Sequence, residues 1–531
     1  MSSASPTTSF EGVTLRLPAR DWVLIALAAV LLTLANPPFR LVAPAFVCLV
    51  PAALLILRGC TADRPWRLHL HQGFWYGTLT HGALLYWFAL ALWRYGRAAA
   101  LLYVVAVAMF AGAYAVMFAV VGRIVRGSPG RLLLALPAGV VFLEWLAAEV
   151  GPIAFPWHQL ALTVTSAPVL VQTADLAGSG GLAFLLALVN MSIALAWWHR
   201  AAPRRALRHA ELAAGVVFLL FLYGRYRLDR IPTVVAGDAA VIQPNVIPED
   251  KWRSGRQDAV VERTASLTQV ALEERRPALV AWPETALPDA VQLHPAWTGT
   301  IARLARASGS TIVAGGVDVP VAAGRAHDYN AAFVFGGEDE HVAARSVYRK
   351  RQLIPMVERD LRATPDLTRT AFGGFTPGRT GALTKGPLGP YGILLCYELT
   401  FPELAREARS AGAAVLVTLS NDAWFGATSA PYQHFAHAIL RAVENRMAVV
   451  RAANSGISGV VDPRGRVVVR TEPFVETWAT GRIERSEIVP LAVHLAPLVG
   501  PGSLVLLLGL LAGSVQANRV RPAPSSSAPS G

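Results

Sequence analysis

Three polar residues stand where short apolar runs of this sequence end. Glu284 closes "ALVAWPE", Lys350 follows "VAARSVYR", and Cys396 closes "YGILLC". Together these residue types make one chemistry. A thiol must lose its proton before it attacks a carbonyl, a carboxylate can take that proton, and a nearby cation favours first the thiolate and then the oxyanion. Taken one at a time, each has a plainer explanation. A carboxylate at a strand end is usually solvated, a lone cysteine usually packs in a core, and a lysine between Arg349 and Arg351 usually belongs to a charged surface. The lysine stands out by composition: Lys251, Lys350 and Lys385 are the only lysines among 48 basic residues. A chain so biased toward arginine that keeps lysine at 350 suggests a site that wants a compact ammonium rather than a planar fork.

Such side chains need a rigid frame. The segments "DAAVIQ", "ALVAWPE", "STIVAGGV", "AAFVFGG", "VAARSVY", "YGILLCYE", "AAVLVTLS" and "MAVVRAAN" read as strands, and 256–275, 293–308, 401–412 and 431–446 read as helices. "VVDPRGRVVV" reads as a hairpin turning at Asp462-Pro463-Arg464-Gly465. Strands and helices mixed in this order predict a layered α/β domain over 225–490, with reactive side chains at strand ends where loops leave room for a substrate.

The rest of the chain belongs to a membrane. Of 531 residues, 53% are hydrophobic and 16% charged, and mean hydropathy is +0.42. Apolar segments recur at 22–38, 41–58, 72–93, 99–122, 132–149, 177–198, 210–224 and 491–513. A bilayer needs about 20 such residues per helix, so about eight spans are expected. The first reads as an uncleaved anchor, because "ANPPFR" carries no small-residue cleavage site. Residues 150–176, apolar but broken by prolines, read as a re-entrant or interfacial piece, and "RPAPSSSAPSG" as a disordered tail.

A net charge of +13 and a pI near 10.1 could suggest nucleic acid, but arginines recur in the short gaps between apolar segments, where membrane orientation explains them, so no nucleic-acid partner is expected. Arg16, Arg20, Arg58, Arg64, Arg67, Arg123, Arg126, Arg131, Arg200, Arg204, Arg205, Arg208, Arg519 and Arg521 fall on one side, and the short loops of the other carry only Arg40, Arg94 and Arg97. The positive-inside rule then puts both termini in the cytoplasm and 225–490 outside. Cys48 and Cys60 match no zinc or redox spacing and read as small buried or juxtamembrane residues.

In order, "QPN…KW", "AWPETALP", "YRKRQLIP", "LLCYELTFPE" and "LSNDAWFG…QHF" resemble the nitrilase superfamily, and within it the membrane-embedded apolipoprotein N-acyltransferases. The resemblance covers nearly the whole chain. It implies a bundle of about eight transmembrane helices with a nitrilase-like αββα sandwich between the last two, and hence domains at 1–224, 225–490 and 491–531. It also implies roles: Glu284 as general base, Cys396 as the nucleophile that becomes a thioester, Lys350 as stabiliser of the tetrahedral intermediate, and the N–H of Tyr397 as an oxyanion donor. Glu358 and Glu398 match two further glutamates of the family, and Trp252 a tryptophan near the substrate path.

The implied reaction is two-step. A phospholipid gives its acyl chain to Cys396, and the amine of diacylglyceryl-cysteine at an apolipoprotein's N-terminus takes it as an amide, with no metal or cofactor, at the periplasmic face of a bacterial inner membrane. The chain departs from the family after the lysine, where Pro355-Met356-Val357-Glu358-Arg359 keeps the glutamate but lacks the usual glycine and aromatics. His434 and His437, on one helix without an evident third ligand, read as satisfied or exposed histidines rather than metal ligands. A membrane-bound amidase, or an acyltransferase with another acceptor, uses the same three residues. A transporter with a dead domain would be expected to lose them and to carry charges deep in its spans.

Overall fold

The computed structural model describes residues 17–519 apart from 64, 94–96, 254, 321–327, 337–345, 356, 359–373 and 382. Met356, Arg359 and the Pro/Ser-rich tail lie outside the described residues.

Helical segments occupy each of the eight expected apolar stretches, but not as eight equal spans. Among the described residues, six are long and apolar enough to cross a membrane: Val42–Gly59, Leu101–Val125, Pro129–Glu149, Ala174–Trp198, Pro203–Arg230 and Ala492–Gln516. The first helix, Ala19–Ala35, has only 17 residues. The third stretch is divided into Pro65–Leu84 and Tyr86–Trp93, and His69, Gln72, Thr80 and His81 are buried along it. Residues 150–176 form short turns, Gly151–Ile153, Leu160–Val164 and Pro168–Val171, most of whose side chains are buried.

Among the described residues the polar insert builds two sheets from twelve strands, β1 (Val234–Gln243), β2 (Leu279–Ala281), β3 (Leu287–Ala290), β4 (Thr311–Asp318), β5 (Tyr329–Phe335), β6 (Ser346–Arg349), β7 (Tyr391–Leu395), β8 (Val415–Ser420), β9 (Ala448–Ala453), β10 (Gly459–Val461), β11 (Val467–Arg470) and β12 (Thr477–Arg485). The first sheet runs β12-β1-β2-β4-β5-β6 with β3 beside β4, and the second β11-β10-β9-β8-β7. Alternation decides the layers. Ala239 and Val241 of β1 meet Val415, Val417, Leu419, Val450 and Ala452 of β8 and β9 between the sheets. Ala240 and Ile242 face outward onto helices Gln257–Arg275 and Pro295–Ser308. On the far side, Leu416 and Val449 pack against helices Pro402–Ser410 and Ala430–Asn445. This is the αββα sandwich. β3 and β12 were not among the expected strands; β3 is short and contains a proline and an aspartate, a poor strand pattern.

Helix Ala430–Asn445 departs from the one-sided pattern that its polar residues suggest, because every side chain from Ala430 to Asn445 except Tyr432 is buried. Phe435, Ala438, Ile439 and Ala442 pack toward the second sheet, while Ala436, Leu440 and Val443 join the core of the helical bundle. Its polar groups are paired with the bundle: Gln433 Oε1 accepts from Trp87 Nε1 at 3.1 Å and Trp157 Nε1 at 2.8 Å, and Glu444 Oε1 from the Ser179 N–H at 2.6 Å. Just beyond its end, Arg446 pairs with Asp175 at 2.6 Å. The αββα sandwich therefore sits on the bundle through a helix that belongs to both.

Candidate active site

β2 ends at Ala281, and Trp282-Pro283 carry the chain to Glu284, whose Oε1 accepts from Lys350 Nζ at 2.9 Å and Asn330 Nδ2 at 2.7 Å. Its Oε2 accepts from the Asn421 N–H at 3.0 Å. The close approach depends on Gly315 of β4, where a Cβ would stand 2.6 Å from the Glu284 Cα. Lys350, just past β6, is wholly buried and gives a second hydrogen bond to Glu358 Oε1 at 2.8 Å. Asn330 Nδ2 also reaches Glu358 Oε1, at 2.9 Å. Register explains the meeting: Ala331 of β5 pairs with Arg349 of β6, so Asn330 and Lys350 are the next residues along, and the Lys350 N–H donates to the Asn330 carbonyl at 2.8 Å.

Cys396 leaves β7 with φ of +50°, a left-handed conformation that a non-glycine residue holds only where its surroundings enforce it. The chain turns at once into a one-turn helix, Cys396–Thr400. Thr285, following Glu284, is likewise left-handed at +47°. Glu398 fixes the turn from below, accepting from the N–H groups of Leu395 at 2.8 Å, Arg351 at 2.6 Å and Gln352 at 3.1 Å, and from the Tyr348 hydroxyl at 2.9 Å. It thereby joins the residue before the cysteine to the residues after the lysine without touching the cavity.

Burial opposes charge throughout the site. It is the largest single influence, raising the Glu284 pKa and lowering that of Lys350, but their mutual attraction together with Asn330 and Lys251 around Glu284, and with Glu358 beside Lys350, outweighs it, so Glu284 is held below its ordinary value and Lys350 well above. Burial pushes the Cys396 thiol up and Glu284 adds to this, while Lys350 and the Ser420 hydroxyl pull the other way. The resting site is thus a neutral thiol beside a carboxylate–ammonium pair. A second lysine, Lys251, is buried with Nζ 2.9 Å from the Glu284 carbonyl oxygen. Burial lowers its pKa to about 7 against the pull of Glu284 and Cys396.

Glu284, Asn330, Glu358 and Cys396 line a cavity of about 150 Å³ together with the aromatic side chains of Trp87, Phe88, Phe155, Trp157 and Phe425. A larger cavity of about 290 Å³ lies among the bundle helices and shares Phe88, Phe155 and Ile354 with it. Apolar space between the helices therefore adjoins the cavity that Cys396 lines.

Residues 238–492 match the carbon-nitrogen hydrolase family, and residues 28–192 the apolipoprotein N-acyltransferase N-terminal domain. An apolipoprotein N-acyltransferase of Geobacter metallireducens is 31% identical over 89% of this chain and 91% of its own length. The chain belongs to the apolipoprotein N-acyltransferase family. Another member, from Pseudomonas aeruginosa, is 30% identical over 92% of this chain and 95% of its own length. Among solved structures, Saccharomyces cerevisiae Nit3, of the nitrilase superfamily, aligns at 20% identity and a TM-score of 0.36, over 48% of this chain and 90% of its own.

The other expected residues of this acyltransferase fall around the same cavity. Glu358, Tyr397 and Trp252 line it. Trp252 stands at its rim, about a third exposed at 37%, with Lys251 Nζ 5.7 Å from the ring centroid. The Tyr397 hydroxyl donates to the Ala154 carbonyl at 2.5 Å, tying the turn after the cysteine to the bundle. Sequence reasoning missed Asn330, which no motif flagged, and Asp422 and Arg451, although "SNDAWF" was singled out.

Both histidines are buried and engaged, and His434 does have acidic and thiol neighbours: its ring, Asp422 and Cys396 offer ligand-type atoms within 4.8 Å of one another. The donor set does not suit a cation. Arg451 already occupies one oxygen of Asp422 at 2.7 Å, and His434 Nε2 faces a carbonyl oxygen.

Proposed function

We propose that this acyltransferase moves a phospholipid acyl chain to the N-terminal amine of a diacylglyceryl apolipoprotein through a thioester on Cys396. The single observation that carries the reading is the buried Glu284–Lys350–Cys396 grouping, at a cavity that shares its wall with apolar space between the helices. In the first step Glu284 takes the thiol proton and sulfur attacks the ester carbonyl. Lys350 and the Tyr397 N–H receive the oxyanion; the C–O bond then breaks and the proton passes to the departing lysophospholipid. In the second step the acceptor amine attacks the thioester, Glu284 takes an amine proton, the C–S bond breaks, and the proton returns to the thiolate.

The two carboxylates on Lys350 have a use in this cycle. When Glu284 becomes protonated, Glu358 still holds the ammonium charged, so the cation that meets the oxyanion does not depend on the base. The arginine asymmetry of the loops supports a catalytic sandwich on the periplasmic face of the inner membrane, within reach of both lipid substrates. Mass spectrometry of protein incubated with phospholipid tests the mechanism: an acyl group on Cys396, released by hydroxylamine, is expected, and its absence overturns the reading. A reporter active only in the cytoplasm, fused at Gly381, is expected to stay silent.

A further inference from the structure

The carbonyl oxygen of Cys396 is gripped from behind. His434 brings Nε2 to 3.0 Å from it, and since a carbonyl oxygen only accepts, Nε2 carries the proton. The other ring nitrogen, Nδ1, lies 3.0 Å from Asp422 Oδ1 and 3.1 Å from Arg451 Nη2. Asp422 is further bound by Arg451 at 2.7 Å and by the Ser420 hydroxyl at 2.6 Å. His434, Asp422, Arg451 and Ser420 are all fully buried. Gly456 leaves the space they need, since a Cβ there would stand 2.1 Å from Asp422 Oδ2. Burial, aided by Arg451, lowers the His434 pKa against the pull of Asp422, which suits a neutral ring that donates from Nε2 and accepts from Arg451 at Nδ1, with Arg451 Nη2 linking the ring to the Asp422 carboxylate.

An apolar core would be an easier way to fill this volume than a buried carboxylate, guanidinium and imidazole. What the cluster holds explains its presence. The Cys396 carbonyl and the Tyr397 N–H belong to one planar trans peptide and point in opposite directions, so fixing one aims the other. Tyr397 lies in the first turn of the helix Cys396–Thr400, where N–H groups have no partner within the helix. We propose that His434, braced by Arg451, which Asp422 holds in place, is a positioning residue that sets the Cys396–Tyr397 peptide plane and aims the Tyr397 N–H at the reaction's oxyanion. The bond received at the carbonyl also polarises that N–H and strengthens it as a donor. The same contact holds Cys396 in its left-handed conformation.

This rests on Cys396 being the nucleophile and Tyr397 N–H an oxyanion donor. Two reactions of the same thiol separate the parts. Acyl-enzyme formation from a labelled phospholipid passes through an oxyanion. Alkylation by iodoacetamide, in which an S–C bond forms and iodide leaves, does not. Read at Cys396 by mass spectrometry, His434→Leu is expected to slow acyl-enzyme formation roughly a hundredfold, the scale of losing one oxyanion donor, and to leave alkylation at the parent rate. His434→Gln, whose amide N–H can reach the same carbonyl, is expected to recover most of the acylation. Should His434→Leu not accumulate as folded protein, Asp422→Asn is expected to give the same split more weakly. Acylation at the parent rate in these variants overturns the proposal, and so does an equal fall in both reactions, which would make the cluster a packing element. If Cys396→Ala protein still forms the acyl-enzyme, the nucleophile assignment itself fails and the proposal goes with it.

Discussion

Two buried charge clusters flank Cys396, and they are built differently. On the side of the first sheet, Glu284 and Glu358 share the one ammonium of Lys350, with Asn330 bridging both carboxylates. The charges there are unequal, and Glu284, Glu358 and Asn330 all face the cavity. On the side of the second sheet, Asp422 is matched by Arg451 and completed by His434 and Ser420, and of these only His434 reaches the cavity wall. The first cluster has charge to spare and a surface from which to exchange a proton; the second is closed on itself. Groups that change protonation during a reaction need the first arrangement, and groups that hold a peptide plane need the second.

The comparison breaks most completely if the thiol between the clusters is dispensable. Cys396→Ala is expected to abolish acyl-enzyme formation while the protein still inserts and folds, as read by labelled-lipid incorporation and by detergent-solubilised yield. Cys396→Ser is expected to be nearly as inactive, because a hydroxyl ionises far less readily than a thiol.

Next in size is Lys350→Arg, which keeps a cation but replaces a point charge by a planar fork in a fully buried position. Loss of a well-aimed oxyanion donor costs on the order of 3 kcal/mol, about a hundredfold in rate. Single-turnover acylation near the parent rate would remove Lys350 from the mechanism.

Glu358→Gln sharpens the distinction within the first cluster. It keeps an oxygen toward Lys350 and Asn330 but removes the spare negative charge. Exchanging a charged for a neutral hydrogen bond weakens it by about 1 kcal/mol, so a several-fold loss of acylation is expected. A loss as large as that of Lys350→Arg would mean that Glu358, and not Glu284, takes the proton.

The smallest effect belongs to Lys251, whose pKa burial lowers to about 7. Below that pH it is an ammonium near Cys396 and favours the thiolate; as pH rises through it, that help is lost. Alkylation of Cys396 against pH is therefore expected to flatten near 7 in the parent and to rise smoothly in Lys251→Met. Identical profiles would make Lys251 a tether for the Trp252 segment and nothing more.

How much of this was legible beforehand depends on whether a feature is local. The strands, the helices of the sandwich and the hairpin turn follow from alternation and turn residues, which act over a few positions. Glu284, Lys350 and Cys396 were visible because they interrupt apolar runs in a recognisable order. That helix Ala430–Asn445 is buried on all sides was not legible, because its polar residues satisfy partners in a bundle that lies far away in sequence.

The sequence by itself determined the membrane segments, the α/β composition of the insert and the reactive residue types, since hydropathy and periodicity are carried by neighbouring residues. Only the tertiary structure decided which groups surround the thiol. Asn330 reaches Glu284 and Glu358 through the register of two antiparallel strands. Arg451, from the strand beside β8, joins Asp422 and His434 in the pocket that Gly456 leaves open. Neither meeting leaves a periodic trace in the chain, because each depends on where separate elements are brought together, and that is settled by how two sheets and a helical bundle pack.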